Sequence, residues 1–513
     1  MTGDTLSSPT SVEEVNGKSH SKTSGNGHLL VLGFGSQAHV VNSFKVGMYL
    51  AERGVTITYV SRQKYINQLK QSYSPEKLKA LGIRTVGLAD GYEGTHIFDR
   101  ATRFEQVFQP YLEELIADRK AGLAIPTAIL ADRFLQFAKD VAQKLEIKRY
   151  VFFSASVSEP MMYMAVQELH RKGTVRKLEN GEFVGLENVP NVPGCDWMRQ
   201  QDLPWVLWAD TKAMLDISHT MTDADGLVLN YFDDLGPRCL ETLGNSLSAQ
   251  SGTTGKAPKL FTIGPLSNAA TSVNVACNGG ELKKTEMQCF DWLDQQPTSS
   301  VLYVCFGSIF RPDAPQLYEL ALGLEASNQR FLLVLPATER QGLRKDGAVT
   351  LEDELPENFA SRVSDRGLIV YGWVPQIQML AHTSVGGFMS HCGWSSCLES
   401  FGSGVPMIAW PMAADQNPNC RYVVNELKVG IELTGKKGDM VFASFSMRVT
   451  GKKYDTFVEK DEIARAVEVL MEEEEGKATR ARAQALRVKL GAALAVGGSS
   501  YRHLQELADH INE

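Results

Sequence analysis

From residue 28 onward, short apolar runs rich in β-branched residues alternate with longer amphipathic stretches. The first series is "HLLVLGF" (28–34), "VTITYVS" (55–61), "RTVGLA" (84–89), "TAILAD" (127–132), "RYVFFSAS" (149–156), "GLVLNY" (226–231) and "KLFTIGP" (259–265). Most are apolar throughout rather than at alternate positions. That suits strands covered on both faces, hence a parallel sheet flanked by helices. A second series follows: "SSVLYVCFGS" (299–308), "RFLLVLP" (330–336), "GLIVYGW" (367–373), "VGGFMSHCG" (385–393), "VPMIAWP" (405–411) and "VGIEL" (429–433), with helical stretches such as "PQLYELALGLEAS" (315–327) between them. The pattern predicts an α/β chain of two facing, doubly wound, Rossmann-like parallel-sheet domains, over 28–265 and 287–498. The Asn-, Ser-, Gly- and Thr-rich stretch 266–286 is the linker between them. Ligands of such sheets bind beyond the strand C-termini, so both halves should turn their loops into one cleft.

Other segments carry weaker patterns. Residues 1–27 are polar and read as a disordered tail, and 435–457 read as a mixed polar surface insertion. "MEEEEG" (471–476) is a solvated helix end, and the serines opening "SSYRHLQELADHI" are placed to cap an amphipathic C-terminal helix over 499–513. At 513 residues the chain is too long for one ordinary core. A net charge of −8 argues against a nucleic-acid partner. No apolar run approaches the roughly 20 residues of a membrane span, and the N-terminus has no hydrophobic signal region. Eight cysteines, at 195, 239, 277, 289, 305, 392, 397 and 420, form no C-x-x-C pair. They read as reduced thiols of a cytoplasmic protein, not as zinc ligands.

Two stretches carry candidate chemistry. In "HLLVLGFGSQAH" (28–39), Gly33, Gly35 and Ala38 fit the dinucleotide fingerprint, and Ser61-Arg62 ends the second strand where NADP enzymes place a basic residue. An NADP-dependent oxidoreductase is therefore one reading, but it gives the stretch 373–416 no role. There, "GFMSHCGWSSCLES" is a strand followed by a helix, with Gly393, Ser395 and Ser396 small enough to admit an anion to the helix N-terminus. His391 can add a donor, and Glu399, one turn into the helix, can accept from vicinal hydroxyls such as those of a ribose. In "WPMAADQ", Asp415 and Gln416 suit a polyol, and Trp373 offers a flat face for a base.

The whole segment, "WVPQIQMLAHTSVGGFMSHCGWSSCLESFGSGVPMIAWPMAADQ", closely resembles the signature box of plant family-1 UDP-glycosyltransferases, W-x-P-Q…H-C-G-W-N-S-x-x-E…G-V-P…W-P…D-Q. "SSVLYVCFGS", "LPENFASRVSDRGLIVYGWVPQ", "ADGLVLNYFDDL" and "GGSSYRHLQEL" also resemble family patterns, so the likeness covers about 28 to 511. It implies a GT-B architecture, with the acceptor bound by the N-terminal domain, the donor by the C-terminal one, and the last helix packed back on the N-terminal domain. Trp373 would stack on uracil, with Val374 and Gln376 beside it and the ribose, and Glu399 would hold the ribose hydroxyls. His391, Gly393, Ser395, Ser396 and Ser308 would bind the diphosphate, and Trp394, Asp415 and Gln416 would contact the transferred sugar. A Trp at 394 with a Gln at 416 accompanies UDP-glucose in this family.

The same resemblance makes His39 the general base, oriented by Asp132, in an inverting transfer that yields a β-glucoside. The helix N-terminus and His391 would stabilise the leaving diphosphate, so no metal or other cofactor is expected, and the chain would act as a monomer. The acceptor is a small apolar molecule with a hydroxyl: a phenolic, flavonoid, terpenoid or hormone. Met- and Trp-rich stretches 154–170 and 195–210 either line its pocket or simply pack the core. Two departures stand out. Ala38 precedes the base where the family has Gly, with Asn42 and Ser43 after it where Pro is common, and Ser395 replaces the Asn of the box. They keep a second reading in view, a sugar-nucleotide-binding protein without catalysis.

Overall fold

The computed structural model describes residues 27–35, 37–91, 97–122, 125–173, 176–177, 183–184, 192, 194–198, 211–250, 256–266, 281–307, 312–335, 354–412, 415–433 and 457–513. The N-terminal tail, most of the linker, the 435–457 insertion but for its last residue, Ser308 and the acceptor stretch after 198 lie outside the described residues.

Every predicted apolar run forms a strand. The first sheet contains β1 (His28–Leu32), β2 (Thr56–Arg62), β3 (Ile83–Leu88), β4 (Ala128–Asp132) and β5 (Lys148–Phe153). A short antiparallel hairpin of β6 (Arg176–Lys177) and β7 (Phe183–Val184) intervenes, too small to leave a sequence pattern. The sheet is completed by β8 (Gly226–Leu229) and β9 (Lys259–Thr262), in the order β3-β2-β1-β4-β5-β8-β9. The second sheet is built from β10 (Val301–Cys305), β11 (Arg330–Leu335), β12 (Gly367–Tyr371), β13 (Val385–Ser390), β14 (Met407–Ala409) and β15 (Gly430–Glu432), ordered β12-β11-β10-β13-β14-β15. All pairings within both sheets are parallel.

Strand order reverses between β1 and β4 in one sheet and between β10 and β13 in the other, and such reversal points open the crevices where ligands bind. Register sharpens this. Leu32 pairs with Ala131 and Cys305 with Ser390, so the chain leaving β1 and the last residue of β4 emerge side by side, as do the ends of β10 and β13.

The C-terminal helix, Ser499–Asn512, returns to the first sheet as expected. Leu504, Leu507, Ala508 and Ile511 are buried with Leu29, Val31 and Tyr150. Gly27 N donates to the Asn512 side chain (2.6 Å), and Lys148 Nζ donates to the His510 carbonyl (2.7 Å). The expected serine cap is corrected: Gly498 precedes the helix with no side-chain cap, and both serines lie in its first turn. Ser500 Oγ donates instead to the Gly264 carbonyl at 2.6 Å, because the buried approach to the first sheet leaves that carbonyl to be satisfied. "MEEEEG" straddles the break between helices Lys460–Glu472 and Glu474–Leu494. Among the described residues no helix is long and apolar enough to cross a membrane. The seven described cysteines are free thiols, six buried and Cys305 half-buried.

Candidate active site

His39 and Asp132 meet at the first crevice. His39 stands in the first turn of the helix Gln37–Ala51. Its Nδ1 lies 2.6 Å from Asp132 Oδ2 and 3.3 Å from Ser154 Oγ. A carboxylate only accepts, so in the neutral imidazole Nδ1 carries the proton and Nε2 the lone pair. Phe34 and Phe134 hold the ring, at centroid distances of 5.5 and 5.8 Å. The His39 side chain is 18% exposed and that of Asp132 fully enclosed, which leaves the imidazole open to the crevice and the carboxylate dry.

Burial alone would raise the Asp132 carboxyl. The His39 imidazole, the Arg133 guanidinium and the Phe134 N–H, 3.1 Å from Oδ1, outweigh it and hold the group below its usual range. Arg133, which sequence reading missed, lies 4.0 Å from Asp132 Oδ1 and is itself held by buried Glu159 (2.5 Å) and Tyr163 (3.3 Å). The only signal for it was a charged residue directly after the strand-ending aspartate.

The fingerprint glycines serve close packing rather than an open phosphate turn. A Cβ at Gly33 would sit 2.1 Å from the Tyr59 hydroxyl, and one at Gly35 would sit 2.7 Å from Arg62 Cδ. Tyr65 and Arg100 both donate to the Gly35 carbonyl. Arg62, the basic residue that favoured NADP, is buried and paired with Asp90 at 2.5 Å.

At the second crevice, Gly393 starts the helix Trp394–Ser403. The His391 ring fits between two glycines: a Cβ at Gly307 would meet it at 2.9 Å and one at Gly393 at 2.5 Å. Gln376 Nε2 donates to Ser396 Oγ (3.0 Å) and to Glu399 Oε2 (2.7 Å), which joins three expected donor residues into one network. Burial raises the Glu399 carboxyl, opposed by Gln376 and by Lys45 from the first helix. Trp373 is half-buried and Val374 buried. Asp415 Oδ2 accepts from Asn419, and Gln416 Oε1 accepts from Met412 N at 2.8 Å. Ser395 Oγ accepts from Asn42 of the first helix at 3.2 Å.

Trp394 is used differently from its neighbours. It is 3% exposed, stacks on Tyr231 (5.9 Å between centroids, 18° between planes), and its Nε1 donates to the Asn230 carbonyl at 2.8 Å. The indole therefore joins the two sheets. Tyr422 reinforces the joint through the Tyr231 hydroxyl at 2.6 Å. Of the candidate acceptor lining, Met161, Met162, Met164 and Met198 belong to one buried core cluster.

His391 supplies a pH test. Burial lowers its pKa from 6.5 to about 4. The unfolded chain then binds the extra proton first, so stability present above pH 6.5 is lost as pH falls toward 4. Chemical denaturation across that window should show the decline, and His391→Gln should make it shallower, the remainder coming from His28, which burial also lowers to about 4. An unchanged slope would remove burial as its cause.

A family description, "UDP-glucoronosyl and UDP-glucosyl transferase", matches residues 265–437. UDP-glycosyltransferase 88B1 of Stevia rebaudiana is 33% identical over 412 residues, covering 79% of this chain and 80% of that protein. A UDP-glucosyltransferase from Polygonum tinctorium capable of glucosylating indoxyl superposes with a TM-score of 0.76 at 27% identity, covering 96% of this chain and all of that one. Phytolacca americana UGT2, solved with UDP-2fluoro-glucose and pterostilbene, gives a TM-score of 0.73 at 25% identity, covering 95% and 99%. Two Rossmann-like sheets, the box at the second crevice and these alignments along most of the chain place the protein in the UDP-glycosyltransferase family, with the GT-B fold.

Proposed function

We propose that the enzyme moves glucose from UDP-glucose to a hydroxyl of a small apolar acceptor (a phenolic, flavonoid, terpenoid or hormone) with inversion, giving a β-glucoside. The observation that carries this reading is the His39–Asp132 contact of 2.6 Å at the crevice of one sheet, on a helix that touches the donor helix of the other. His39 Nε2 takes the acceptor proton as the acceptor oxygen bonds to the anomeric carbon. The bond from that carbon to the diphosphate breaks on the opposite face, and UDP leaves. Asp132 holds the imidazole in the required tautomer and stabilises the imidazolium.

The helix start at Gly393, His391 and Ser308 would receive the diphosphate. Gln376 and Glu399 would take the ribose, Trp373 and Val374 the base, and Asp415 and Gln416 the sugar. These groups supply the leaving-group stabilisation, so the transfer is proposed to need no metal, in a cytoplasmic monomer. Glucose is favoured by Gln416 closing the box, and by the glucosyl donors or products named for the Polygonum and Phytolacca enzymes.

The test is incubation with UDP-glucose, UDP-galactose or UDP-glucuronate and a mixed panel of phenols and flavonoids, with EDTA present. Mass spectrometry would follow glucosides and UDP, and proton coupling would report the anomeric configuration. β-Glucosides with EDTA present are expected from UDP-glucose above the other donors. UDP binding without any product would support the non-catalytic reading instead.

A further inference from the structure

The two departures from the family pattern lie opposite one another. Asn42 occupies the stretch after the base where the family commonly has Pro, and Ser395 replaces the Asn of the box. In the fold they touch: Asn42 Nδ2 donates to Ser395 Oγ at 3.2 Å, across a sequence separation of 353. One turn further, Lys45 and Glu399 attract each other. Asn42 and Lys45 share one face of the base-bearing helix, and Ser395 and Glu399 share one face of the donor helix. The two helices thus run together along a polar seam.

Asn42 is 2% exposed. Asparagine is a poor residue for a helix interior, and burying its carboxamide is unfavourable unless both ends find partners. Among the described residues, Ser395 takes one of its two N–H groups. Ser395 itself lies in the first turn of the donor helix, where the backbone N–H groups are available to an anion.

We propose that Asn42 supplies from the N-terminal domain the carboxamide that position 395 lacks, holding Ser395 with one N–H and, once the donor binds, a diphosphate oxygen with the other. This rests on the UDP-sugar reading above. Asn42 is then a donor-binding residue and also a positioning residue. It lies three residues after His39 on the same helix, so capture of the diphosphate fixes where the base stands. Donor affinity and base placement depend on one side chain.

The probes are UDP and uridine, titrated calorimetrically into wild type and three variants. Asn42→Ala removes the carboxamide and suits a helix. UDP affinity should fall about tenfold or more, the loss expected for one hydrogen bond to a charged group, while uridine affinity stays. Asn42→Asp keeps the shape and can still accept from the Ser395 hydroxyl, but sets a carboxylate against the diphosphate. It should lose more UDP affinity than Asn42→Ala, again with uridine unchanged. Asn42→Ala with Ser395→Asn should recover much of the UDP affinity.

A purely structural seam gives a different pattern. UDP and uridine would weaken together, Asn42→Asp would bind UDP as well as wild type, or the double variant would be no better than the single. Any of these overturns the proposal. Wild-type protein that binds neither probe would overturn the donor reading and this one with it, whereas wild-type binding with unaltered variants overturns this one alone.

Discussion

His39→Ala should cut kcat by about 10²–10⁴-fold, the usual contribution of a positioned general base, while leaving UDP affinity close to wild type. The expectation follows from where the side chain stands. His39 Nδ1 is occupied by Asp132 at 2.6 Å, so Nε2 is the atom left to take a proton, and the ring is wedged between Phe34 and Phe134. Alanine removes the acceptor for that proton and leaves the donor site on the other sheet untouched. Asp132→Asn should mimic part of the loss. Its amide can donate to Nδ1 and so stabilise the wrong tautomer, although the geometry is kept. Single-turnover rates with UDP-glucose would separate chemistry from binding. Turnover of His39→Ala at the wild-type rate would refute the assigned base, and a large loss of UDP affinity would mean that His39 serves the donor instead.

Trp394→Ala should destabilise the protein by about 3–5 kcal/mol, the range for removing a large buried aromatic. Here the loss combines a cavity, the stack on Tyr231 and the hydrogen bond to the Asn230 carbonyl. Trp394→Phe keeps most of the stack but strands that carbonyl, so it should cost a smaller share, about 1–3 kcal/mol. Because Trp394 joins the two sheets, the expected signature is more than a lower midpoint. Denaturation followed by probes in each half should become less coincident in Trp394→Ala. Coincident transitions at the wild-type midpoint would show that the joint is carried elsewhere, with Tyr231 and Tyr422 the next candidates.

Much of this protein is written locally. Strands buried on both faces must be apolar at every position, so both sheets could be read as runs of Val, Ile, Leu and Phe, with boundaries off by up to three residues. The donor helix was legible because an anion site at a helix start demands small residues at fixed spacing, as in Gly393, Ser395 and Ser396. His39 and Asp132 are paired through the family resemblance; the fold brings them together because β1 and β4 are neighbouring parallel strands that deliver their C-terminal ends to one edge.

What the sequence left open concerns side chains whose partners are far along the chain. Nothing around Trp394 indicates that its indole crosses to Asn230, or that Ser500 bonds Gly264 rather than capping its own helix. Met161 and Met164 look alike as pocket lining or as core until the surrounding elements are placed. Asn42 and Ser395 each read as a weakened motif, and only the docking of two helices from different sheets makes them a pair. The physical reason is common to all four cases. Backbone pattern reflects which face of an element is buried, a local property. Which partner a buried polar or aromatic group finds is set by the packing of elements hundreds of residues apart, and that was decided only when the two sheets closed on one another.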